Sequence, residues 1–224
     1  TNEVTLVTNQ AGRSNGLYID KKGNLYGCAD ENNQLWRFRK DGTPEVLVKD
    51  YEGKLLNGPN DLWIHPTQGI YFTDPLYKRN YWTRNPAMQQ DGEYVYRLDR
   101  KGKVHRTSAV IKKPNGIVGT PDQKGVYVAD IGDSRIYRFD IAKNGDLHNR
   151  QLLAEMGADG MTVDAQGNVY LAGKGVTVFS KEGKKIAHIP VPKGWTANVC
   201  FGGTKKDILF ITARDAIFTL QMNV

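Results

Sequence analysis

The sequence is poor in the residues that build metal clusters, thiol chemistry and membrane anchors. It contains two cysteines and four histidines in 224 residues. Cys28 and Cys200 are too few for a disulfide framework and form no C-x-x-C pair, so they leave the redox compartment open. Each lies in an apolar, strand-like run, where a buried free thiol is expected. His105, His148 and His188 fall on the outer strands of successive repeats and His65 falls in a turn, which argues against a convergent zinc or nucleophile-activating cluster. No G-x-S-x-G elbow and no phosphate-cradling glycine loop occurs. No apolar run approaches the roughly 20 residues of a membrane-spanning helix, and no stretch sustains a 3.6-residue hydrophobic period. Residues 1–4 read directly as the start of a strand, with no charged-then-apolar export signal before them.

The formal net charge of +7 raises nucleic acid as a partner. The cations are spread over turn positions such as Lys21-Lys22, Lys101, Lys143 and Lys184-Lys185, and no nucleic-acid motif accompanies them. The expectation is a solvated, evenly basic surface with neither nucleic acid nor a membrane as partner. Such a surface would also attract acidic sugars.

What the sequence does have is a repeat. Asn15, Asn60, Asn115, Asp159 and Asn198 stand 45, 55, 44 and 39 residues apart, each within a short strand-like run. Periods near 40–45 with four strands each mark propeller blades. Second strands are predicted at 25–30, 70–74, 126–130, 169–173 and 208–213. Third strands follow at 35–39, 94–98, 136–139 and 176–179, and end at Asp41-Gly42, Lys101-Gly102, Asn144-Gly145 and Glu182-Gly183, dipeptides suited to tight turns. A more polar fourth strand closes each repeat. The fold class is all-β: a single propeller domain over 1–224, of four-stranded antiparallel blades, with five repeats visible. Residues 3–8 read as a lone fourth strand, and the chain finishes on a third strand at 216–220. Pairing these ends gives a ring of five; a further blade upstream gives six.

In each repeat the start of the first strand and the end of the second meet at one rim. That rim gathers Asn15, Asn60, Asn115, Asp159 and Asn198 with Asp30, Asp74 and Asp130. Amide and carboxylate oxygens in such number suit a hard cation, Ca²⁺ above all. Turn capping is the competing use of the same residue types. The longest repeat has its excess between Asp74 and Tyr94, in Pro75-Leu76-Tyr77-Lys78-Arg79-Asn80-Tyr81-Trp82-Thr83-Arg84. This aromatic and cationic loop could cover a pocket for an oxygen-rich ligand. Asn15, Asn60, Asp74, Tyr77 and Asp130 are therefore candidate substrate contacts.

Several stretches together resemble the regucalcin/gluconolactonase family of six-bladed propellers. They are Tyr51-Glu52-Gly53-Lys54 through Asn57-Gly58-Pro59-Asn60-Asp61, Tyr71-Phe72-Thr73-Asp74-Pro75 and Pro114-Asn115-Gly116-Ile117. Tyr127-Val128-Ala129-Asp130, Asp159-Gly160-Met161, Gly167-Asn168-Val169-Tyr170 and Phe201-Gly202-Gly203 continue the match along the chain.

The resemblance implies a sugar-lactone hydrolase with a divalent metal, most often Ca²⁺, with Zn²⁺, Mn²⁺ or Mg²⁺ as other candidates. Carried over, Asn115 and Asp159 would be metal ligands, Asn60 would touch metal or substrate, and Asp159 would be the general base. It does not make Asp74 or Asp130 ligands. The alternative function is a non-catalytic propeller that binds carbohydrate or protein at the same rim. Bacterial members of the family are compatible with a periplasmic or secreted location. The family's first blade opens on a Glu-Gly-Pro motif whose Glu binds the metal. That motif would lie upstream of residue 1, and Glu52-Gly53-Lys54 is not its equivalent. The expectation is a six-bladed parent whose first blade lies outside this sequence or comes from another chain. Gly58 stands where some animal members carry an arginine, so substrate contacts should differ there.

Overall fold

The computed structural model describes residues 4–85 and 87–223. They form two compact units, Thr1–Arg106 and Thr107–Val224. The first unit holds two antiparallel sheets. One runs β1 (Ser14–Ile19), β2 (Leu25–Ala29), β3 (Gln34–Phe38) and β4 (Pro44–Val48). The other runs β5 (Leu62–His65), β6 (Gly69–Asp74), β7 (Tyr94–Leu98) and β8 (Val104–Arg106). The second unit holds three. The third sheet is β9 (Pro114–Gly119), β10 (Gly125–Asp130), β11 (Arg135–Ile141) and β12 (Leu147–Ala154). The fourth is β13 (Met161–Val163), β14 (Val169–Gly173), β15 (Gly175–Phe179) and β16 (Lys185–Ile189). The fifth is β17 (Asn198–Gly202), β18 (Ile208–Ala213) and β19 (Ala216–Gln221), three strands among the described residues. The chain is thus all-β and of the propeller class, with five meandering blades in sequence order. A three-residue 3-10 turn, Asp30–Asn32, is the one helical element among the described residues, and no helix is long and apolar enough to cross a membrane.

The period of two explains how the fourth sheet is buried on both faces. In β14, Val169 and Leu171 join a core with Tyr127, Ala129, Ile136 and Met161. The alternate residues Tyr170 and Ala172 join the next core, with Val199, Leu209 and Ile211. The first unit repeats the arrangement: Tyr26 and Cys28 of β2 meet Ile70 and Phe72 of β6 across Leu35, Leu62 and Tyr96. Phe72 is fully buried, which stabilises the sheet pair by about 2–3 kcal/mol. The predicted third-strand turns form as expected, with Gly42, Gly102, Gly145 and Gly183 at φ between 80° and 84°.

Two expectations fail. Residues 4–8 belong to no strand, and Glu3 lies outside the described residues. Val4, Leu6 and Val7 are strongly exposed. Apolar and β-branched composition alone does not make a strand; a paired ladder does, and this stretch has none. Cys28 is buried as expected, whereas Cys200 is exposed.

Candidate functional site

Backbone hydrogen bonds define one position at the head of the first strand in each sheet. In the second sheet the Asn60 amide donates to the Thr73 carbonyl, and the Thr73 amide donates to Asp61. In the fourth sheet Asp159 donates to Ala172, and Ala172 donates to Gly160. Asn60 and Asp159 are therefore equivalent, and Asn15 and Asn115 hold the same place before Gly16 and Gly116. Asn198 does not. In the fifth sheet Ala197 donates to the Thr212 carbonyl, so Ala197 occupies the position and Asn198 matches Asp61. The side chains agree: Leu62 donates to Asp61 Oδ1 at 2.9 Å and Val199 donates to Asn198 Oδ1 at 2.8 Å. A shift of one residue along a strand turns the side chain to the opposite face. Asn198 is thereby removed from the set.

The residue after the marker is glycine in three sheets because neighbouring first strands nearly touch there. A Cβ on Gly16 would lie 2.6 Å from the Asn60 carbonyl oxygen, and one on Gly116 would lie 2.2 Å from that of Asp159. The Gly16 amide donates to Asn60 at 2.7 Å, and the Gly160 amide to Ala197 at 2.8 Å. The first unit thus brings Asn15 and Asn60 together at adjacent strands, and the second unit does so for Asn115 and Asp159. Asn60 and Asn115 are buried, Asp159 is half-buried and Asn15 is exposed.

The second-strand carboxylates have different neighbours. Asp74 is fully buried, and its two oxygens accept the amides of Asn57 and Gly58 at 2.9 and 2.8 Å. Burial pushes its pKa up to about 7 against the opposing pull of those amides. Asp130 accepts from the amides of Lys112, Lys113 and Asp133 at 2.8, 2.9 and 3.2 Å. Each thus holds the segment leading into the first strand of its own sheet. Asp30 instead receives the long loop: Tyr81 Oη and the Trp82 indole donate to Oδ2 at 3.0 and 3.2 Å, with Arg79 and Arg84 at 3.5 and 3.8 Å. Arg84 lies 3.4 Å over the Trp82 ring and donates to the Asn57 carbonyl. The loop is thereby fixed onto the end of β2, with half-buried Tyr77 under the Arg79 guanidinium.

The fourth sheet breaks the carboxylate series. Gly173 stands where Asp30, Asp74 and Asp130 stand in theirs. The space beside it is taken by Trp195, whose ring edge would lie 3.8 Å from a Cβ at Gly173. The Trp195 indole donates to Asp159 Oδ2 at 3.0 Å. Thr196, fully buried, fixes this segment: its hydroxyl lies 2.6 Å from the Gly175 carbonyl and 2.8 Å from that of Gly173, with one proton to give, and accepts the Gly173 amide, while its own amide donates to Gly173. Sequence reasoning missed Trp195 and Thr196. The interruption of the Asp series at Gly173 was the available signal.

Among the described residues no three His, Cys, Asp or Glu side chains gather closely enough to hold a metal ion. The Asn115 and Asp159 pair offers one amide and one carboxylate oxygen on neighbouring strands. Oxygen donors without sulfur or imidazole match a hard cation in kind, and carry a single negative charge.

A family model described as SMP-30/Gluconolactonase/LRE-like region matches residues 3–215. A gluconolactonase of Zymomonas mobilis is 30% identical over 216 residues, covering 89% of this chain and 60% of that protein. A lactonohydrolase of Aspergillus oryzae is 28% identical over 80% of this chain and 48% of its own length. The chain therefore spans roughly half to three fifths of these relatives. The solved structure of a gluconolactonase from Xanthomonas campestris superposes with a TM-score of 0.86 at 32% identity, covering 94% of this chain and 72% of that one.

Proposed function

Because the chain belongs to the SMP-30/gluconolactonase/LRE-like family, we propose that the protein hydrolyses a sugar lactone to the open aldonic acid, assisted by a divalent cation. The observation that carries this reading is the equivalent placement of Asn115 and Asp159 on adjacent first strands. Similarity to gluconolactonases of Zymomonas and Xanthomonas supports the substrate class.

Asn115 and Asp159 would hold the cation through oxygen, Ca²⁺ being the best match in kind. The family resemblance gives Asn60 a part in the same chemistry. When bound, the cation would supply Lewis-acid polarisation of the lactone carbonyl. Asp159 takes a proton from the attacking water as general base. The water oxygen bonds to the carbonyl carbon, the ring carbon–oxygen bond breaks, and the proton passes to the departing ring oxygen. The product is a hydroxy acid, with no other reactant consumed.

The test is proton release from D-glucono-1,5-lactone by the full chain, before and after EDTA and on restoring Ca²⁺. Chelation is expected to abolish turnover, and Asp159→Asn to lower kcat by about 10²–10⁴-fold. Asn115→Ala is expected to weaken Ca²⁺ binding in calorimetry. Turnover indifferent to EDTA would remove the metal from the reading. No turnover with bound Ca²⁺ would leave a lactone-binding or carbohydrate-binding propeller instead.

A further inference from the structure

We infer that Trp195 is the positioning residue for Asp159 and the platform on which the ring of the bound sugar lactone lies. The inference rests on the lactone-hydrolase reading of Asp159 and assigns a further residue to that site. Three observations converge on it. First, the indole Nε1–H meets Asp159 Oδ2 at 3.0 Å. A carboxylate that must act from one oxygen gains from having the other held, because a fixed donor selects a single rotamer.

Second, the placement of this indole is built rather than incidental. Trp195 and Lys174 form a backbone bridge, and the next residue, Thr196, is buried with hydrogen bonds to both Gly173 and Gly175. The neighbouring sheet carries Asp130 at the position of Gly173. A side chain there would begin in van der Waals contact with the indole, its Cβ 3.8 Å from the ring edge. The glycine and the tryptophan are thus one substitution pattern, seen in space and hidden in sequence.

Third, the rest of the ring is open. Trp195 is 53% exposed, an unusual degree for the largest apolar side chain. An indole with its N–H engaged and half of its surface exposed suits a ligand with a C–H face and hydroxyl edges. A sugar lactone has that form.

The test uses Trp195→Phe and Trp195→Ala in the full chain, with ¹H–¹⁵N spectra of the indole groups. Trp195→Phe keeps a ring and removes the donor; Trp195→Ala removes both. With D-glucono-1,5-lactone, Trp195→Phe is expected to lower kcat about tenfold with KM nearly unchanged. Trp195→Ala is expected to raise KM by about a further fivefold. The one indole resonance lost in Trp195→Phe should move upfield in Asp159→Ala. A resonance that stays put in Asp159→Ala would overturn the pairing, and unaltered kcat in Trp195→Phe would overturn the positioning role.

Should the native chain fail to turn over the lactone, the proposed activity falls by itself. The positioning role is then decided by Ca²⁺ calorimetry. An affinity about tenfold weaker in Trp195→Phe supports it, and equal affinity overturns it.

Discussion

The third and fourth sheets are neighbours with the same meandering strand order and a marker at the head of the first strand, Asn115 in one and Asp159 in the other, but the second hairpin turns through residues 131–134 in one and through Lys174 alone in the other. They differ at the end of the second strand, where one has Asp130 and the other Gly173. In the third sheet the carboxylate gathers three backbone amides of its own scaffold. In the fourth sheet a threonine hydroxyl does the fastening from the following segment. The place left open is taken by an indole that serves Asp159. A repeat can therefore change the residue at one position if the structural duty attached to it is met by another residue. The carboxylates of Asp130 and Asp159 illustrate the two arrangements: one is buried and accepts three backbone amides, and the other is half-buried and accepts a side-chain indole at one oxygen.

The largest effect that would break this comparison is expected at Asp130. Asp130→Ala leaves three amides without their acceptor and should cost about 3 kcal/mol in urea unfolding, with KM for the lactone unchanged in the folded protein. A changed KM at unchanged stability would return Asp130 to substrate binding.

Asp74 sharpens the comparison through pH. Its folded pKa of about 7 lies above the unfolded value of about 3.9. The neutral form is favoured by folding, so this contribution is fully present below about pH 4 and is lost as pH rises through about 7. The stability advantage of the native chain over Asp74→Asn should shrink by about 2–3 kcal/mol between pH 5 and pH 8. A constant difference in denaturation midpoints would mean that Asp74 stays charged throughout.

The smallest change is the most direct exchange. Gly173→Asp restores to the fourth sheet the residue of its neighbours. It should cost about 1 kcal/mol or less in stability, while shifting Trp195 fluorescence to the red and lowering kcat. Unchanged emission would show that indole and carboxylate fit side by side.

Much of the blade pattern was legible because strand patterning is local. Alternation in 169–172 and glycines after Asp41, Lys101, Asn144 and Glu182 mark strands and turns without knowledge of partners. The Asn and Asp markers were legible for Asn60, Asn115 and Asp159, whose following residues fix the frame. Asn198 misled because an Asn one place further along satisfies the same short-range rule. Only the ladder through Thr212 separates it from the marker position. The amides of Asn57, Gly58, Lys112 and Lys113 that donate to Asp74 and Asp130 lie 16–18 residues away, and Trp195 lies 36 from Asp159. Such pairings depend on how sheets stack, which no local period encodes. The segment at 4–8 was misread for the opposite reason: its composition suits a strand, but it has no ladder.

The near-contact of first strands at glycine carries a consequence for motion. The amides of Gly16 and Gly160 donate across to the next sheet, at Asn60 and Ala197, so each can exchange its hydrogen with solvent only when two sheets part. Most strand amides report fraying within a sheet. These two act as gauges of the seams, one in each unit. Their deuterium uptake, set against that of β10 or β14, would tell whether neighbouring blades open singly or only when the whole unit unfolds.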